Sequence, residues 1–256
     1  MGKRRFLRHQ RGNRDMNEGI GKLKKYQKKF NHSYAFGIYP TLDLLKGRSE
    51  SVVKVLLRKD SERFDGVKEI VDFCKQKNIP LEYNERLIGK IAFKENTYAV
   101  GVFRKYSSEL VVNENHIVLV EPRNMGNVGT IIRSMVGFEF RNLAIVGSGV
   151  DVFSPKVISS TMGNLFKINF EYFSSIGEYV ERFGNHNRYS FVLGGSRSVS
   201  EVEFKEPVSL IFGNESKGLS PNDEKVGESV YIPHSKELES LNLSVAVSLA
   251  MWEFRK

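Results

Sequence analysis

Residues 117–133 read Ile-Val-Leu-Val-Glu-Pro-Arg-Asn-Met-Gly-Asn-Val-Gly-Thr-Ile-Ile-Arg, and this stretch decides the fold. The apolar run at 117–120 has the composition of a buried strand, and 127–136 has helical spacing of its apolar residues. A further apolar run at 143–146 follows at once. Strand, helix and strand in this order predict a βαβ unit of a buried parallel sheet. We therefore expect an α/β protein.

The rest of the C-terminal half continues the same alternation. Further strands are expected at 168–172, 190–193, 208–212 and 229–232, and helices near 154–163, 176–183 and 241–254. The last segment is ambiguous because its large apolar residues alternate, which is typical of a strand. Serines and alanines also recur there at four-residue spacing, and the segment is longer than a usual strand. We therefore predict a buried helix.

The N-terminal half divides into a basic segment and a small α/β unit. A strand is expected at 52–57, a helix at 65–77, and short strands at 80–83 and 98–103. A polar interval then interrupts the apolar pattern. The expected organisation is an arm at 1–30, a small domain at 31–104, a linker at 105–115 and a larger domain at 116–256.

The net charge of +9 in this 256-residue chain is concentrated at its start. Residues 1–30 hold eleven Lys or Arg against Asp15 and Glu18, and the remainder is neutral overall. Such a segment has too few apolar residues to form a core. It is expected to be a flexible arm that binds nucleic-acid phosphates, with a solvated tail or a targeting remnant as the alternatives.

Several classes of protein are disfavoured by composition. No apolar run approaches the roughly 18 residues of a membrane span, and the basic N-terminus lacks the apolar core of a signal peptide. The single cysteine, Cys74, cannot form an internal disulfide, and the five histidines have no metal-ligand spacing. We expect a soluble, cytoplasmic protein without a structural metal or a membrane partner.

Three polar segments interrupt the apolar pattern of the larger domain, at 124–133, 212–219 and 232–246. The first leads into a helix, whose free N–H groups can bind an anion such as phosphate, and Asn124 and Asn127 can cap it. Arg133 follows about two turns later, among apolar residues of that helix. A buried guanidinium without a partner would be costly, so Arg133 is a candidate functional residue.

The second and third segments have weaker individual signals. Residues 212–219, Phe-Gly-Asn-Glu-Ser-Lys-Gly-Leu, lack the spacing of a phosphate-binding P-loop, and the chain has no convincing dinucleotide-binding G-x-G-x-x-G. The third segment contains Ile232-Pro233 and then Ser240-Leu-Asn242. Taken alone, Ser240 is most simply the N-cap of the last helix.

Together, the three segments resemble the signature motifs of the SpoU (TrmH) family, knotted methyltransferases that transfer a methyl group from S-adenosylmethionine to RNA. The resemblance implies a deep trefoil knot, a homodimer, and a catalytic and RNA-contacting cluster of Asn127, Arg133, Glu215, Ser240 and Asn242. It also implies that the backbone around Leu193, Gly213, Ile232 and Leu241 holds the cofactor. The smaller domain resembles the ribosomal-protein-L30e-like substrate-binding domain of many such enzymes.

The chain departs from the family pattern at four positions. His234 and Lys236 replace the usual Met and Gly after the Ile-Pro pair, and Ser159 and Thr161 replace frequent Arg and Ser. These departures lie in segments expected near the cofactor and the substrate. Cofactor affinity and substrate contacts can therefore differ from those of other members.

The leading hypothesis is an RNA ribose 2′-O-methyltransferase acting on rRNA, because the smaller domain resembles that of rRNA-acting members. A tRNA substrate remains an alternative. A base-nitrogen methyltransferase is disfavoured, because the Asn-Arg, Glu and Ser-Leu-Asn set matches the ribose-modifying branch. A non-catalytic RNA-binding or ribosome-assembly factor with the same fold also remains open.

Overall fold

The computed structural model describes Ile20 and residues 22–256. The chain forms two compact units, one ending at Tyr106 and the other comprising Ser107–Lys256. The first contains β1 (His32–Phe36), α1 (Ile38–Arg48), β2 (Val52–Leu57), α2 (Asp65–Lys77), β3 (Leu81–Tyr83), α3 (Glu85–Ile91) and β4 (Ala99–Arg104). The second contains β5 (His116–Val120), α4 (Met125–Gly137), β6 (Asn142–Val146), α5 (Pro155–Ser160), β7 (Asn169–Phe173), α6 (Ile176–Arg182), β8 (Asn187–Phe191), β9 (Arg197–Ser198), β10 (Val208–Phe212), α7 (Pro221–Glu224), β11 (Glu228–Tyr231) and α8 (Leu243–Phe254).

The first unit is built on a mixed four-stranded sheet of order β1-β4-β2-β3. β4 is antiparallel to both β1 and β2, whereas β2 and β3 are parallel. The predicted strand at 52–57 and helix at 65–77 are confirmed with the same bounds. The strand β1 and the helix α1 were not predicted.

Part of the basic N-terminal segment packs on this unit. Residues 1–19 and 21 lie outside the described residues. Leu23 is buried with Ile88 and Ile91, and the carbonyl of Lys24 accepts a hydrogen bond of 2.7 Å from the Tyr34 hydroxyl. Within the segment predicted to be an arm, Leu23 and its neighbours thus complete an apolar core of this unit.

The second unit is a seven-stranded sheet of order β7-β6-β5-β10-β8-β11-β9, in which every pairing is parallel. Its central strands are fully buried, as expected when helices cover both faces of a parallel sheet. The predicted α/β fold with a mostly parallel sheet is confirmed. The order of strands in the sheet also places β5, β10, β8 and β11 side by side. The loops that follow these strands therefore lie at the same edge of the sheet.

Two details near the ends of elements differ from the prediction. The helix expected near 154–163 ends at Ser160, and Met162 and Gly163 adopt left-handed backbone conformations beyond it. The last segment is a helix, as predicted, but its N-cap is Asn242 and not Ser240. Asn242 Oδ1 accepts a 2.9 Å hydrogen bond from the Ser244 N–H, which leaves Ser240 outside the helix.

No helix among residues 20 and 22–256 has both the length and the apolar character that a membrane span requires. The same residues contain no group of three or more His, Cys, Asp or Glu side chains arranged to hold a metal ion.

Candidate active site

The candidate site lies at the carboxyl edge of the parallel sheet. Ligands of open parallel α/β sheets bind beyond the carboxyl ends of the strands, where successive loops meet. Here the edge is formed by residues 121–127 after β5, 213–220 after β10, 192–196 after β8 and 232–242 after β11. The three polar segments identified in the sequence are thus neighbours in space.

Glu215 connects the first two of these loops. Its carboxylate accepts hydrogen bonds from the N–H groups of Arg123 and Asn124, at 3.1 and 3.0 Å, and from the side-chain amide of Asn127 at 3.3 Å. Partial burial raises the pKa of Glu215, but its own backbone N–H and these donors outweigh that effect and hold the pKa below its ordinary value. Glu215 is therefore a carboxylate at neutral pH.

Asn127 extends this arrangement to the third loop. Its Oδ1 accepts a 3.2 Å hydrogen bond from Asn242 Nδ2, while its Nδ2 donates to Glu215. We call Glu215, Asn127 and Asn242 the carboxylate cluster. Each side-chain amide has its orientation defined by a hydrogen-bond partner. The cluster therefore fixes the positions of the loops after β5, β10 and β11 relative to one another.

Side chains of the same chain accept hydrogen bonds from four backbone N–H groups at the start of α4. Asn124 is its N-cap, and its Oδ1 accepts hydrogen bonds from the N–H groups of Gly126 and Asn127 at 2.8 and 3.1 Å. The N–H groups of Arg123 and Asn124 already donate to Glu215. The expectation that these N–H groups bind phosphate is therefore wrong, because side chains of the same chain occupy them.

Close backbone contacts shape the loop after β10. A Cβ atom added to Gly213 would lie 2.0 Å from the carbonyl carbon of Gly218, so only glycine fits there. The buried Asn214 pairs with Gly218 through two backbone hydrogen bonds, and its side-chain amide donates to the carbonyl of Glu121 at 2.7 Å. Sequence reasoning missed this role of Asn214; the signal was an asparagine between a strand end and a glycine-containing turn.

These loops enclose a cavity of about 460 Å³. The four residues proposed from the resemblance to hold a cofactor, Leu193, Gly213, Ile232 and Leu241, all line it, and so do Glu215 and Ser240. Phe191 and Phe212, whose rings stack at 4.5 Å, form part of its apolar wall. The volume falls within the usual range for small-molecule sites, about 300–1,000 Å³.

The departures from the family pattern have different environments. His234 lines the cavity, and its Nδ1 lies 2.8 Å from the carbonyl oxygen of Ile232. Lys236 is exposed on the same loop. Thr161 is buried and donates a 2.7 Å hydrogen bond to the carbonyl of Ile158, which is a structural contact.

Arg133 occupies a different position from the one expected. The apolar face of α4 buries Val128, Ile131, Ile132 and Met135, whereas Arg133 is exposed on the opposite side of the helix. It does not line the cavity and has no hydrogen-bond or ion-pair partner among residues 20 and 22–256. The argument that a buried guanidinium marks function is therefore wrong; Arg133 is instead a free surface cation.

Ser240 and Asn242 flank the entrance to α8. Ser240 is exposed at the cavity wall and has no hydrogen-bond partner within the described part of the chain. Asn242 caps the helix and reaches Asn127. The structure thus brings together Asn127, Glu215 and Asn242 by hydrogen bonds and Ser240 through the cavity, but leaves Arg133 apart.

An all-parallel sheet with a cavity and a polar cluster at its carboxyl edge defines an α/β protein with a small-molecule site. Residues 114–252 match the model of the SpoU rRNA Methylase family, more than half of the chain, and the chain belongs to that family.

Two curated relatives and one solved structure are similar to this chain. The 23S rRNA (uridine(2479)-2′-O)-methyltransferase of Streptomyces viridochromogenes is 30% identical over 54% of this chain and 50% of its own length. The 23S rRNA (guanosine(2553)-2′-O)-methyltransferase RlmP of Bacillus subtilis is 24% identical over 81% and 83%. The SpoU methyltransferase AviRb of S. viridochromogenes, crystallised with AdoMet, has a TM-score of 0.78 at 20% identity, covering 94% of this chain and 95% of that one.

The chain spans about half the length of the curated relatives that match it at 30% identity. The family match and the structural similarity establish the family and the fold.

Proposed function

We propose that this chain is an S-adenosylmethionine-dependent RNA methyltransferase that methylates a ribose 2′-hydroxyl of ribosomal RNA. The observation that carries the proposal is the carboxylate cluster, which fixes Asn127 and Asn242 beside a cavity of cofactor size. Family membership and the named rRNA 2′-O-methyltransferase relatives support the reaction and the substrate class.

The cavity suits S-adenosylmethionine in chemistry as well as in size. Leu193, Ile232 and Leu241 offer apolar contacts to a flat base, and Gly213 leaves its backbone open to close approach. We propose that the backbone at these four positions holds the cofactor. The bound cofactor supplies an activated methyl group on a positively charged sulfur.

The chain itself must align and activate a weak nucleophile. Glu215 is charged, and both of its oxygens already accept hydrogen bonds from the loop that carries Asn127, so we assign it the positioning of Asn127 rather than proton removal. Asn127, Asn242 and Ser240 then orient the RNA at the cavity mouth. Accurate alignment of reacting groups can lower the barrier by several kcal/mol, roughly 7–11 in favourable cases.

Arg133 has a separate role in this proposal. An arginine remains protonated in proteins and is a poor base. Because Arg133 lies outside the cavity of its own chain, we propose that this exposed and unpartnered guanidinium acts at the site of a second copy, where it holds a substrate phosphate and the negative charge that develops on the ribose oxygen.

We further propose that the active form is a homodimer. Val245, Leu249 and Trp252 stand exposed on one face of α8, and with Thr130 and Phe138 they line an open apolar surface. Apolar patches of this kind on a helix pair mark interaction sites, and a second copy of the same face can cover it about a two-fold axis. Thr130 lies one turn from Arg133, so the proposed interface borders that guanidinium.

The dimer proposal is tested by sedimentation of Trp252→Lys against Leu238→Lys. Both substitutions place a charge at an exposed large apolar residue, but Leu238 lies in a loop outside the apolar face. We expect a monomer for the first variant and a dimer for the second. A monomeric wild-type protein would contradict the proposal.

The finer features of the fold and location are part of the same proposal. A Cβ atom added to Gly195 would lie 2.5 Å from the carbonyl carbon of Val230, and this close backbone approach is consistent with one loop passing against another in a trefoil knot. The first unit is proposed to be an L30e-like RNA-binding domain. An rRNA substrate implies a cytoplasmic enzyme.

The experiment that tests the function is transfer of labelled methyl from S-adenosylmethionine to unmodified total RNA, followed by nuclease digestion. Wild type is compared with Arg133→Ala and with Arg182→Ala, whose guanidinium lies over the Phe173 and Phe183 rings away from the site. We expect a 2′-O-methylated nucleoside from rRNA, a loss of about a hundredfold or more in Arg133→Ala, and near-normal transfer in Arg182→Ala. Absence of both transfer and cofactor binding in wild type would indicate a non-catalytic RNA-binding protein.

A further inference from the structure

The first unit exposes aromatic rings at one end of its sheet. The large apolar side chains that are exposed in its described part are Tyr39, Tyr83 and Phe93, all of them aromatic. Tyr39 is 70% exposed and makes no ring contact or hydrogen bond with another described residue. Aliphatic residues of comparable size are covered in the same part of the chain.

The strand connections place these rings along a single edge. Because β4 runs antiparallel to β1 and β2, the ends of β1, β2 and β3 lie beside the start of β4. The Gly37 N–H donates to the Ala99 carbonyl at 2.8 Å, and the Arg58 N–H donates to the Tyr98 carbonyl at 3.0 Å. With neighbouring strands about 4.8 Å apart, four strand ends span about 15 Å.

Cations accompany the rings on this edge. The Phe93 ring lies edge-on to Phe36 at 5.2 Å, and Lys94 Nζ lies 5.8 Å from the centre of the Phe93 ring. The Phe64 and Tyr98 rings are 5.0 Å apart, and the Arg63 guanidinium lies 5.0 Å from the Phe64 ring. Neither Arg63 nor Lys94 has an ion-pair partner within the described residues of this unit.

The charge on this edge is nevertheless mixed. Asp60 and Glu85 pair with Arg58 beside the rings, and Glu62 lies against Tyr83. A surface that binds an RNA duplex through its phosphates needs a predominance of positive charge, which this edge lacks. Exposed rings with only a few free cations instead suit unpaired bases, which stack on aromatic side chains and on guanidinium groups.

We propose that this edge, with Tyr39, Phe93 and Arg63 as its principal members, binds two or three unpaired RNA bases by stacking. Each of the two rings and the guanidinium can stack one base, which sets this number. We call these three residues the aromatic row. The inference rests on the proposed RNA-modifying function and adds to it a substrate feature, a single-stranded loop or end in the substrate RNA.

The test measures binding without catalysis. Full-length protein is titrated, without cofactor, into a fluorescein-labelled oligoadenosine strand and a labelled RNA duplex, and anisotropy is followed. Tyr39→Leu and Phe93→Leu remove the aromatic face and keep apolar bulk, while Tyr39→Phe and Phe93→Tyr keep the face. Lys46→Ala is the matched control, because Lys46 is exposed near the far end of α1 and outside the row.

We expect each leucine variant to weaken single-strand binding about tenfold, with duplex binding unchanged. The aromatic replacements and Lys46→Ala should bind as wild type. Equal losses on strand and duplex would overturn stacking in favour of phosphate contact. Unchanged single-strand binding by both leucine variants would overturn the RNA assignment and point to a protein partner for the row.

A second measurement separates this inference from the proposed function. Methyl transfer by wild type and Tyr39→Leu is compared as a function of RNA concentration. We expect a higher KM for RNA with an unchanged kcat. If wild type transfers methyl and the variant has the same KM for RNA, the stacking inference is wrong and the proposed function stands. If wild type transfers no methyl, the proposed function is wrong. The binding experiment then still tests whether the aromatic row binds RNA bases.

Discussion

The two ends of strands β5 and β10 carry polar clusters of opposite character. At their amino ends His116, Tyr179, Ser209 and His186 form a buried chain of hydrogen bonds that we call the histidine network. At their carboxyl ends the carboxylate cluster borders an open cavity. Both clusters connect the same strands, but only the carboxylate cluster is accessible from the cavity. We therefore assign stabilisation to the histidine network and chemistry to the carboxylate cluster.

The environments shift the two sets of pKa values for different reasons. Burial lowers the pKa of His116 to about 4, and His186 and Arg182 add to that effect against the hydrogen bond to Val111. The pKa of His186 is also lowered, first by burial and then by Arg188, against its backbone hydrogen bonds. The histidines are therefore neutral, whereas hydrogen-bond donors keep Glu215 charged. The buried histidine network thus consists of neutral side chains, whereas the carboxylate cluster at the cavity contains a charged one.

The largest expected effect is acid destabilisation through the histidine network. A neutral histidine with a folded pKa of about 4 and an unfolded pKa near 6.5 contributes stability that is complete above pH 6.5 and is lost as the pH falls toward 4. The total for His116 is about 3 kcal/mol. Urea unfolding between pH 7.5 and 4.5 measures it, with His116→Gln as the comparison.

A pH-independent free energy of unfolding in wild type over this range would contradict the neutral, buried histidine. His116→Gln should be less stable at pH 7.5 but lose less stability on acidification. The difference between the two slopes isolates this residue from the carboxylates, which titrate in both proteins.

Next in size is the loss of activity expected for Glu215→Ala. The substitution leaves the N–H groups of Arg123 and Asn124 and the amide of Asn127 without their acceptor. Misplacement of reacting groups by about 1 Å can lower turnover about a hundredfold, which is the loss we expect in methyl transfer. Because the cluster is partly exposed to water, the unfolding free energy should change much less.

Glu215→Gln sharpens the same test. It keeps one oxygen of the same shape but removes the charge. We expect intermediate turnover, since one acceptor still orients the loop. Turnover of Glu215→Ala equal to wild type would refute a positioning role for Glu215.

Tyr179→Phe should have the opposite signature. Its hydroxyl lies 2.8 Å from His116 Nδ1 and 2.6 Å from Ser209 Oγ, in a site closed to solvent. Removing it leaves buried partners unsatisfied, at about 1–3 kcal/mol of stability. Turnover per folded molecule should remain that of wild type, and a loss of turnover would show that the two ends are coupled.

The carboxylate cluster was predictable as a set of residues but not as a geometry. The resemblance to the SpoU (TrmH) family predicted Asn127, Glu215 and Asn242 as members of one cluster, and the parallel topology brings their loops together. Which polar residue caps α8 depends on competition: Asn242 satisfies both the helix and Asn127, and Ser240 cannot. No local pattern encodes such a choice.

Other features depended entirely on tertiary contacts. The apolar residues around Arg133 do form the buried face of α4, at Val128, Ile131, Ile132 and Met135, but Arg133 was assigned to that face although it is exposed. The histidine network was invisible, because His116 and His186 are seventy positions apart and meet only through β5 and the turn before β8. Strand β1 was missed, although its central residues are buried by α1 and α3.

The smallest expected effect comes from Asn242→Ser, which divides the two roles of Asn242. Serine is as good an N-cap as asparagine, so the unfolding free energy should change by only a few tenths of a kcal/mol. The donor to Asn127 Oδ1 is lost, however, and Asn127 keeps only its bond to Glu215. We expect about a tenfold loss of kcat/KM, smaller than for Glu215→Ala because the loop after β5 is still held.

Asn242→Asp is the control, since it keeps the cap and replaces the donor by an acceptor facing Asn127 Oδ1. Equal activity of both variants and wild type would mean that the link between the first and third loops is structural, which would leave Glu215 as the member of the cluster on which turnover depends.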